Sequence, residues 1–219
     1  MSVPLLDQYA RITGHAVIDQ LKQLAKPLHG ARIVHVNSTR TGGGVAEILD
    51  KLVPFMRELG VDTTWEVIGG DDLFFSCTKA FHNALQGNHT DVNQLLLDSF
   101  ERTNRHNAEM LSSTLREADV VFIHDPQPSP LLEMTPGRKG KWVWRCHIDV
   151  SHPYRPVWRY LRGFIAPYDA SIFSLASFAR PLPHPTYLIA PSIDPLSDKN
   201  QELSDDVIRD VAAQFGIDR

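Results

Sequence analysis

Three successive glycines constrain this chain more than any other feature. Gly42, Gly43 and Gly44 follow the apolar run Arg32-Ile33-Val34-His35-Val36 and its polar ending Asn37-Ser38-Thr39. A helical pattern then begins at once, in Val45-Ala46-Glu47-Ile48-Leu49. The order is strand, glycine turn, helix N-terminus. Glycines let backbone N–H groups approach an anion or a sugar closely, and the helix dipole favours negative charge at the same place. The same turn also serves as a plain strand-to-helix connection without a ligand, and that reading stays open.

A dinucleotide is the first ligand to test. Gly42 and Gly44 fill the first two positions of G-x-G-x-x-G, but Glu47 stands at the third. A carboxylate in the first helical turn repels a pyrophosphate, and its bulk replaces the glycine that lets helix and strand pack closely. Glu66, about twenty residues further on, matches the place of a ribose-binding acid only weakly. No Gly-Lys-Ser/Thr follows the glycines, which removes a P-loop. The turn suits a sugar or sugar phosphate better than NAD.

Composition narrows the class. Over 219 residues the net charge is −4, so the electrostatic footprint of a nucleic-acid partner is missing. No apolar run reaches membrane-spanning length, and Met1-Ser2-Val3-Pro4-Leu5-Leu6-Asp7 lacks the basic start and apolar core of a secretory signal. Neither a membrane nor a nucleic acid is expected as partner. Cys77 and Cys146 are too few and too far apart for a disulfide framework or a cysteine-based zinc site. Two buried free thiols fit a reducing compartment, the cytoplasm.

Strand and helix patterns alternate along the chain. Leu5 to Leu28 carries apolar residues at helical spacing and ends near Pro27. Arg32–Val36 is a strand, Val45–Leu59 a helix closed by Gly60, and Val61–Ile68 a second strand. Asp71-Asp72 can cap a helix over Leu73–Leu85, and Asp91–Leu115 reads as one further long helix. Asp119–His124 and Lys141–His147 are apolar runs of the kind buried on both faces of a sheet. Helix Val157–Ile165, strands Ala170–Phe173 and Thr186–Ala190, and a Ser204-capped helix over Asp205–Phe215 complete the series. This pattern predicts an α/β fold, a Rossmann-like, doubly wound, mostly parallel sheet. We read 1–219 as a single domain, with an N-terminal helical segment over 1–30 and a crossing segment and terminal helix over 181–219. Five prolines within Pro181–Pro195 stiffen that crossing.

In such sheets the ligand sits beyond the carboxyl ends of the strands. The first strand is followed by Asn37, Ser38 and the glycines, the Val120–Ile123 strand by His124-Asp125-Pro126-Gln127-Pro128, and Trp142–Trp144 by Arg145-Cys146-His147-Ile148-Asp149. Asp125 and Gln127 offer carboxylate and amide groups to sugar hydroxyls, and the prolines stiffen their backbone. His147 and Asp149, two apart, would share one face of an extended chain. Each taken singly is also an ordinary polar residue at a strand end; together they converge on one edge. His-Glu-x-x-His, Asp-x-Asp and Gly-x-Ser-x-Gly are all missing from the sequence, which leaves metal and serine-hydrolase chemistry without a motif. Adjacent residues of a strand point to opposite faces, so Cys146 and His147 cannot pair directly. Trp142 and Trp144 alternate within a strand and belong to the core rather than to a sugar-stacking surface.

These motifs carry a resemblance. Val36-Asn37-Ser38-Thr39 through Gly42-Gly43-Gly44-Val45-Ala46-Glu47-Ile48-Leu49 resembles the start of the trehalose-synthesising members of glycosyltransferase family 4. Lys79-Ala80-Phe81-His82-Asn83-Ala84-Leu85-Gln86-Gly87, His124-Asp125-Pro126-Gln127-Pro128, Trp144-Arg145-Cys146-His147-Ile148-Asp149 and Pro191-Ser192-Ile193-Asp194-Pro195-Leu196-Ser197 match the same group in the same order. Within it the glycosyltransferring trehalose synthases are the nearest match and fungal-type trehalose phosphorylases more distant.

The resemblance implies one half of a GT-B glycosyltransferase, the N-terminal, acceptor-side domain. The C-terminal donor domain, with the basic pair and the ribose-holding element, would be absent from this chain. It further implies a retaining transfer from a nucleoside-diphosphate glucose to glucose, with no cofactor and no metal. His147 would act at the reacting centre as the catalytic residue. Gly42, Gly43 and Gly44 would lie against the substrates, and His82, Asn83, Asp125 and Gln127 would form the acceptor pocket, with Arg145 and Asp149 beside it. His82 and Asn83 can equally belong to a helix face packed under the sheet edge. The isolated chain would be inactive without a donor domain in cis or on a second chain, and an exposed cleft face predicts self-association. The alternative is an orphan sugar-binding or structural remnant, or a phosphorylase-like half.

Overall fold

The computed structural model describes residues 3–197, 200 and 202–217. Met1 and Ser2 of the opening segment, and Asp218 and Arg219 of the closing one, lie outside the described residues. The chain forms two compact units, Leu21–Pro191 and Met1–Gln20 with Ser192–Arg219.

The larger unit is built on a parallel six-stranded sheet: β1 (Arg32–Asn37), β2 (Asp62–Val67), β3 (Val120–His124), β4 (Lys141–Arg145), β5 (Ala170–Phe173) and β6 (Thr186–Leu188), in the spatial order β2-β1-β3-β4-β5-β6. Between successive strands run α3 (Gly44–Glu58), then α4 (Asp72–Leu85), α5 (Gln94–Met110) and α6 (Ser112–Glu117), then α7 (Leu131–Met134) and α8 (Arg155–Ile165). This is the expected Rossmann-like α/β architecture. The strand order reverses between β1 and β3, so a crevice opens at their carboxyl ends, the place where ligands bind in open α/β sheets.

Alternation along the strands divides the core in two. Val34, Val36, Val121, Ile123, Trp142 and Trp144 face the helices α4, α5 and α8 and join Phe74, Phe81, Phe100 and Leu161 in the main cluster. Ile33, Val120 and Phe122 face the other way and meet Met56 and Leu59 around α3. Burial of this kind stabilises by roughly 25 cal/mol per Å² of apolar surface, which makes the sheet the rigid frame of the molecule. Trp142 and Trp144 are fully buried, as their alternation predicts.

The helix ends follow local chemistry. Asp71 caps α4 by accepting the Phe74 N–H at 2.8 Å, Asn93 caps α5 through the Leu96 N–H, and Ser204 caps α9 (Asp205–Gln214) through the Val207 N–H. Two expectations need correction. The opening helical run is two helices, α1 (Leu5–Thr13) and α2 (His15–Ala25), because Gly14 takes a left-handed φ of 85° between them. The long helix expected over Asp91–Leu115 starts after Asn93 and is interrupted at Leu111, which leaves α5 and α6. In the smaller unit, Tyr9 on α1 donates its hydroxyl to Asp194 at 2.8 Å, and burial with this bond raises its pKa to about 12.

Gly140 marks the tightest backbone approach. A Cβ there would stand 2.2 Å from the Asp119 carbonyl oxygen and 2.3 Å from that of Ala118, where β3 and β4 start side by side. Neither atom belongs to a side chain that can rotate away. Gly140→Ala is expected to destabilise the sheet by about 1–3 kcal/mol in urea unfolding, by forced overpacking.

Candidate functional site

Three histidines meet at the carboxyl ends of the central strands. His35 and Phe122 are register partners on β1 and β3, and their rings stack with centroids 4.8 Å apart. His124 lies two residues beyond Phe122 and therefore on the same face. Its Nε2 is 3.0 Å from His35 Nδ1, and its Nδ1 is 3.0 Å from His147 Nε2. The chain of rings runs from a buried end at His35 to His147, which is partly exposed. His35 Nε2 is buried without a hydrogen-bond partner among the described residues.

Asp125 brings the third ring into place. It is the only described non-glycine residue with positive φ, 62°, so the chain leaves the sheet direction there. Its N–H still donates to Arg145 O at 2.9 Å, its carbonyl accepts the Trp144 indole N–H at 2.9 Å, and its carboxylate accepts the His147 backbone N–H at 2.7 Å. A side chain thus takes the place of the next ladder carbonyl. For this reason the strand expected over Lys141–His147 ends at Arg145, and His147 turns toward His124. Asp149, two residues on, is half-buried like His147, and its carboxylate accepts the Ser151 N–H at 2.8 Å in a local turn.

Burial keeps this cluster uncharged. It lowers the pKa of His35 to about 4 and, with the Arg145 charge, that of His147 to about 4. His124 is pushed well below the ordinary value by burial and by His35, His147 and Arg145. The same desolvation raises Asp125 to about 7, against the pull of the His147 N–H and of Arg145. Arg145 itself is buried; Nη2 donates to Ile189 O at 2.7 Å and Nη1 has no partner among the described residues.

The glycine turn borders the cluster in sequence. Gly42 and Gly43 have φ of 76° and 89°, a left-handed conformation that favours glycine. Gly43 stands at the N-cap of α3 without a side-chain cap, and Glu47 brings a carboxylate into the first turn. Beneath the turn, Asn37 accepts the Trp65 indole N–H at 2.8 Å and donates to Thr39 O at 2.8 Å, while the Arg40 guanidinium lies 4.0 Å over the Trp65 ring.

The remaining candidates are more dispersed. Gln127 is half-buried, and its backbone carbonyl accepts from Asn104 at 3.0 Å. His82, exposed, and Asn83, half-buried, occupy the last turn of α4. That turn meets the loop after β4 where the Tyr154 N–H donates to Ala84 O at 2.8 Å. No hydrogen bond or ring contact among the described residues joins His82, Asn83 or Gln127 to the histidine chain. Cys146, beside His147, points its thiol at Ile148 O and is buried, with no bond to any histidine. Sequence reasoning did not include His35 and His124 among the site residues. The available signal was a histidine at or near the end of each of three strands; what links them is strand order, which a sequence does not display.

With this geometry in place, comparison with known proteins decides the family. Residues 35–180 match the family described as "Trehalose synthase, N-terminal domain". The chain belongs to that family. It is 42% identical over 216 residues to a trehalose synthase of Pyrococcus horikoshii, covering 97% of this chain and 51% of that protein. To a trehalose synthase of Rubrobacter xylanophilus it is 43% identical over 220 residues, covering 97% and 52%. A trehalose phosphorylase of Pleurotus pulmonarius is 30% identical over 208 residues, 84% of this chain and 28% of that one. The chain spans about half the length of the curated trehalose synthases that it matches. Among solved structures, a UDP-forming α,α-trehalose-phosphate synthase from Burkholderia vietnamiensis shares the fold, with a TM-score of 0.52, 17% identity, and coverage of 86% of this chain and 51% of that one. Among the described residues no helix is long and apolar enough to cross a membrane, and no cluster of metal-ligating side chains is present.

The buried cluster gives the fold a pH signature. The three histidines have pKa values depressed from 6.5, so below about pH 6.5 the unfolded chain binds protons that the folded chain refuses, and stability is lost as pH falls toward 4. Asp125, raised from 3.8 to about 7, acts oppositely: its contribution is favourable near pH 4 and fades as pH rises to 7. The histidines win by number. Unfolding free energy should fall on acidification from pH 6.5 to 5, with each proton worth about 1.4 kcal/mol per pH unit. Urea titrations should show a steeper fall in Asp125→Asn, which removes the opposing group; an unchanged slope would show that Asp125 is ionised normally.

Proposed function

We propose that the chain is the acceptor-side half of a retaining glycosyltransferase that makes trehalose from a nucleoside-diphosphate glucose and glucose. The observation that supports this reading best is the make-up of the strand ends at the switch point: hydrogen-bonding groups held neutral by burial, and a glycine turn after β1 that opens a helix without a side-chain cap. Neutral donors and acceptors suit sugar hydroxyls, and the helix N-terminus suits an anionic substrate group. Higher identity to trehalose synthases than to trehalose phosphorylases favours a nucleotide sugar over glucose phosphate as the donor-side partner.

In this reading His147 contacts the transferred glucose, Asp125, Gln127, Arg145 and Asp149 border the acceptor together with His82 and Asn83, and Gly42–Gly44 line the substrates. No protein nucleophile is required. The leaving diphosphate accepts the acceptor's proton on the face where attack occurs, so the protein's work is positioning and charge stabilisation. A donor domain in cis or on another chain supplies the diphosphate grip. The two buried free thiols fit a protein of the cytoplasm.

Calorimetric titration of the chain alone should give weak, about millimolar, glucose binding, because a single domain encloses only part of the sugar. Tight nucleoside-diphosphate binding without any response to glucose would overturn the assignment. Mixed with a separately produced donor domain, the chain should form trehalose, and His147→Ala should lower turnover by about 10²–10³. Gly44→Ala is a finer probe. Gly44 has ordinary φ and open space for a Cβ, so alanine should leave stability equal or up to about 1 kcal/mol higher, while reducing glucose binding if the sugar rests on the turn.

A further inference from the structure

A neutral imidazole carries one N–H and one bare nitrogen. That stoichiometry couples the three rings. If His35 is protonated on Nδ1, it donates to His124 Nε2, which must then be bare; His124 therefore carries its proton on Nδ1 and donates to His147 Nε2, and His147 in turn carries Nδ1–H. If His35 is protonated on Nε2, every ring adopts Nε2–H and all the bonds run the other way. Any mixed choice sets two donors or two lone pairs against each other at 3.0 Å. The state of the exposed ring is thus decided at the buried one.

The buried end settles the direction. His35 Nε2 is sealed and has no partner among the described residues, with Phe122 stacked on the ring. An orphaned buried N–H is the rarer and costlier arrangement, so the proton goes to Nδ1, where His124 can accept it. We propose that His35 and His124 are positioning residues that lock His147 as the Nδ1–H tautomer, so that the site offers a bound sugar oxygen a fixed hydrogen-bond donor. The sugar as ligand rests on the function proposed above; the lock itself does not.

The sealed end also means that the chain is not a proton wire. A proton released from His147 Nδ1 cannot be replaced from behind, because no donor among the described residues reaches His35 Nε2. Arg145 is the cation facing the cluster and Asp125 its carboxyl, and both disfavour transfer: the first repels a second proton, and the second is tied to the His147 backbone N–H. His147 therefore acts through a held hydrogen bond rather than as a general acid.

Histidine-selective ¹⁵N labelling of the chain at pH 7, without sugar, reads the protonated nitrogen of each ring from its two-bond couplings. Wild type should show Nδ1–H on His35, His124 and His147. His124→Phe cuts the link, and His147 should change to Nε2–H, the form imidazole prefers in water. Nε2–H on His147 in wild type overturns the proposal without any variant, as does Nδ1–H retained on His147 in a folded His124→Phe protein. Glucose titration of the wild type separates the two readings: no glucose binding by a wild type whose tautomers are as expected counts against the proposed function and leaves the lock intact.

Discussion

One residue, Asp125, ends two strands at once. Its positive φ turns the chain out of β3, and its carboxylate takes the backbone N–H of His147 that a continuing ladder would have used. Its carbonyl meanwhile fixes Trp144, the largest kind of side chain in the core. A non-glycine residue at positive φ costs of order 1 kcal/mol or more, and such strain persists where the surroundings over-determine it. Here they do, since N–H, carbonyl and carboxylate are all bonded. The placement of His147 beside His124 goes with this stop.

The same burial that packs the sheet sets the charge of the site. Ionised imidazoles in a row 3.0 Å apart would repel strongly at low effective dielectric, and desolvation removes the charges instead. The face of the sheet turned to α3 therefore changes character along its length. It is apolar at Ile33 and Val120, aromatic at Phe122, and neutral-polar at His35, Asn37 and His124. A gradient of that kind lets one surface serve as apolar core at one end and as a neutral polar cluster at the other.

How far the sequence reached follows from what each signal encodes. Strand and helix existence was legible because burial on both faces forces runs such as Val120–Ile123, and caps such as Asp71 and Ser204 are local. The glycine turn and the carboxyl-end motifs were legible for the same reason. Three things were not. The break at Leu111 carries no glycine or proline, so nothing local announced it. The Asp125 turn uses a residue type that tolerates positive φ without requiring it. The pairing of His35 with His124 depends on β1 lying beside β3, a matter of topology between residues 89 positions apart.

The glycine turn joins the two levels. Gly42 and Gly43 are accounted for by φ alone, since open space surrounds both and no neighbour forbids a side chain. Gly44 has neither demand: its φ is ordinary and its Cβ would meet nothing. A residue that folding leaves unconstrained, at the uncapped start of a helix and at the switch point of the sheet, is where a requirement imposed by a ligand would act. At the N-cap of that helix no side chain bonds the first-turn N–H groups. The tautomer lock at His147 works on a related principle, since the buried rings hold its ring donor in one direction. Pre-organised donors of that kind stabilise bound oxygen without reorganising when a ligand arrives.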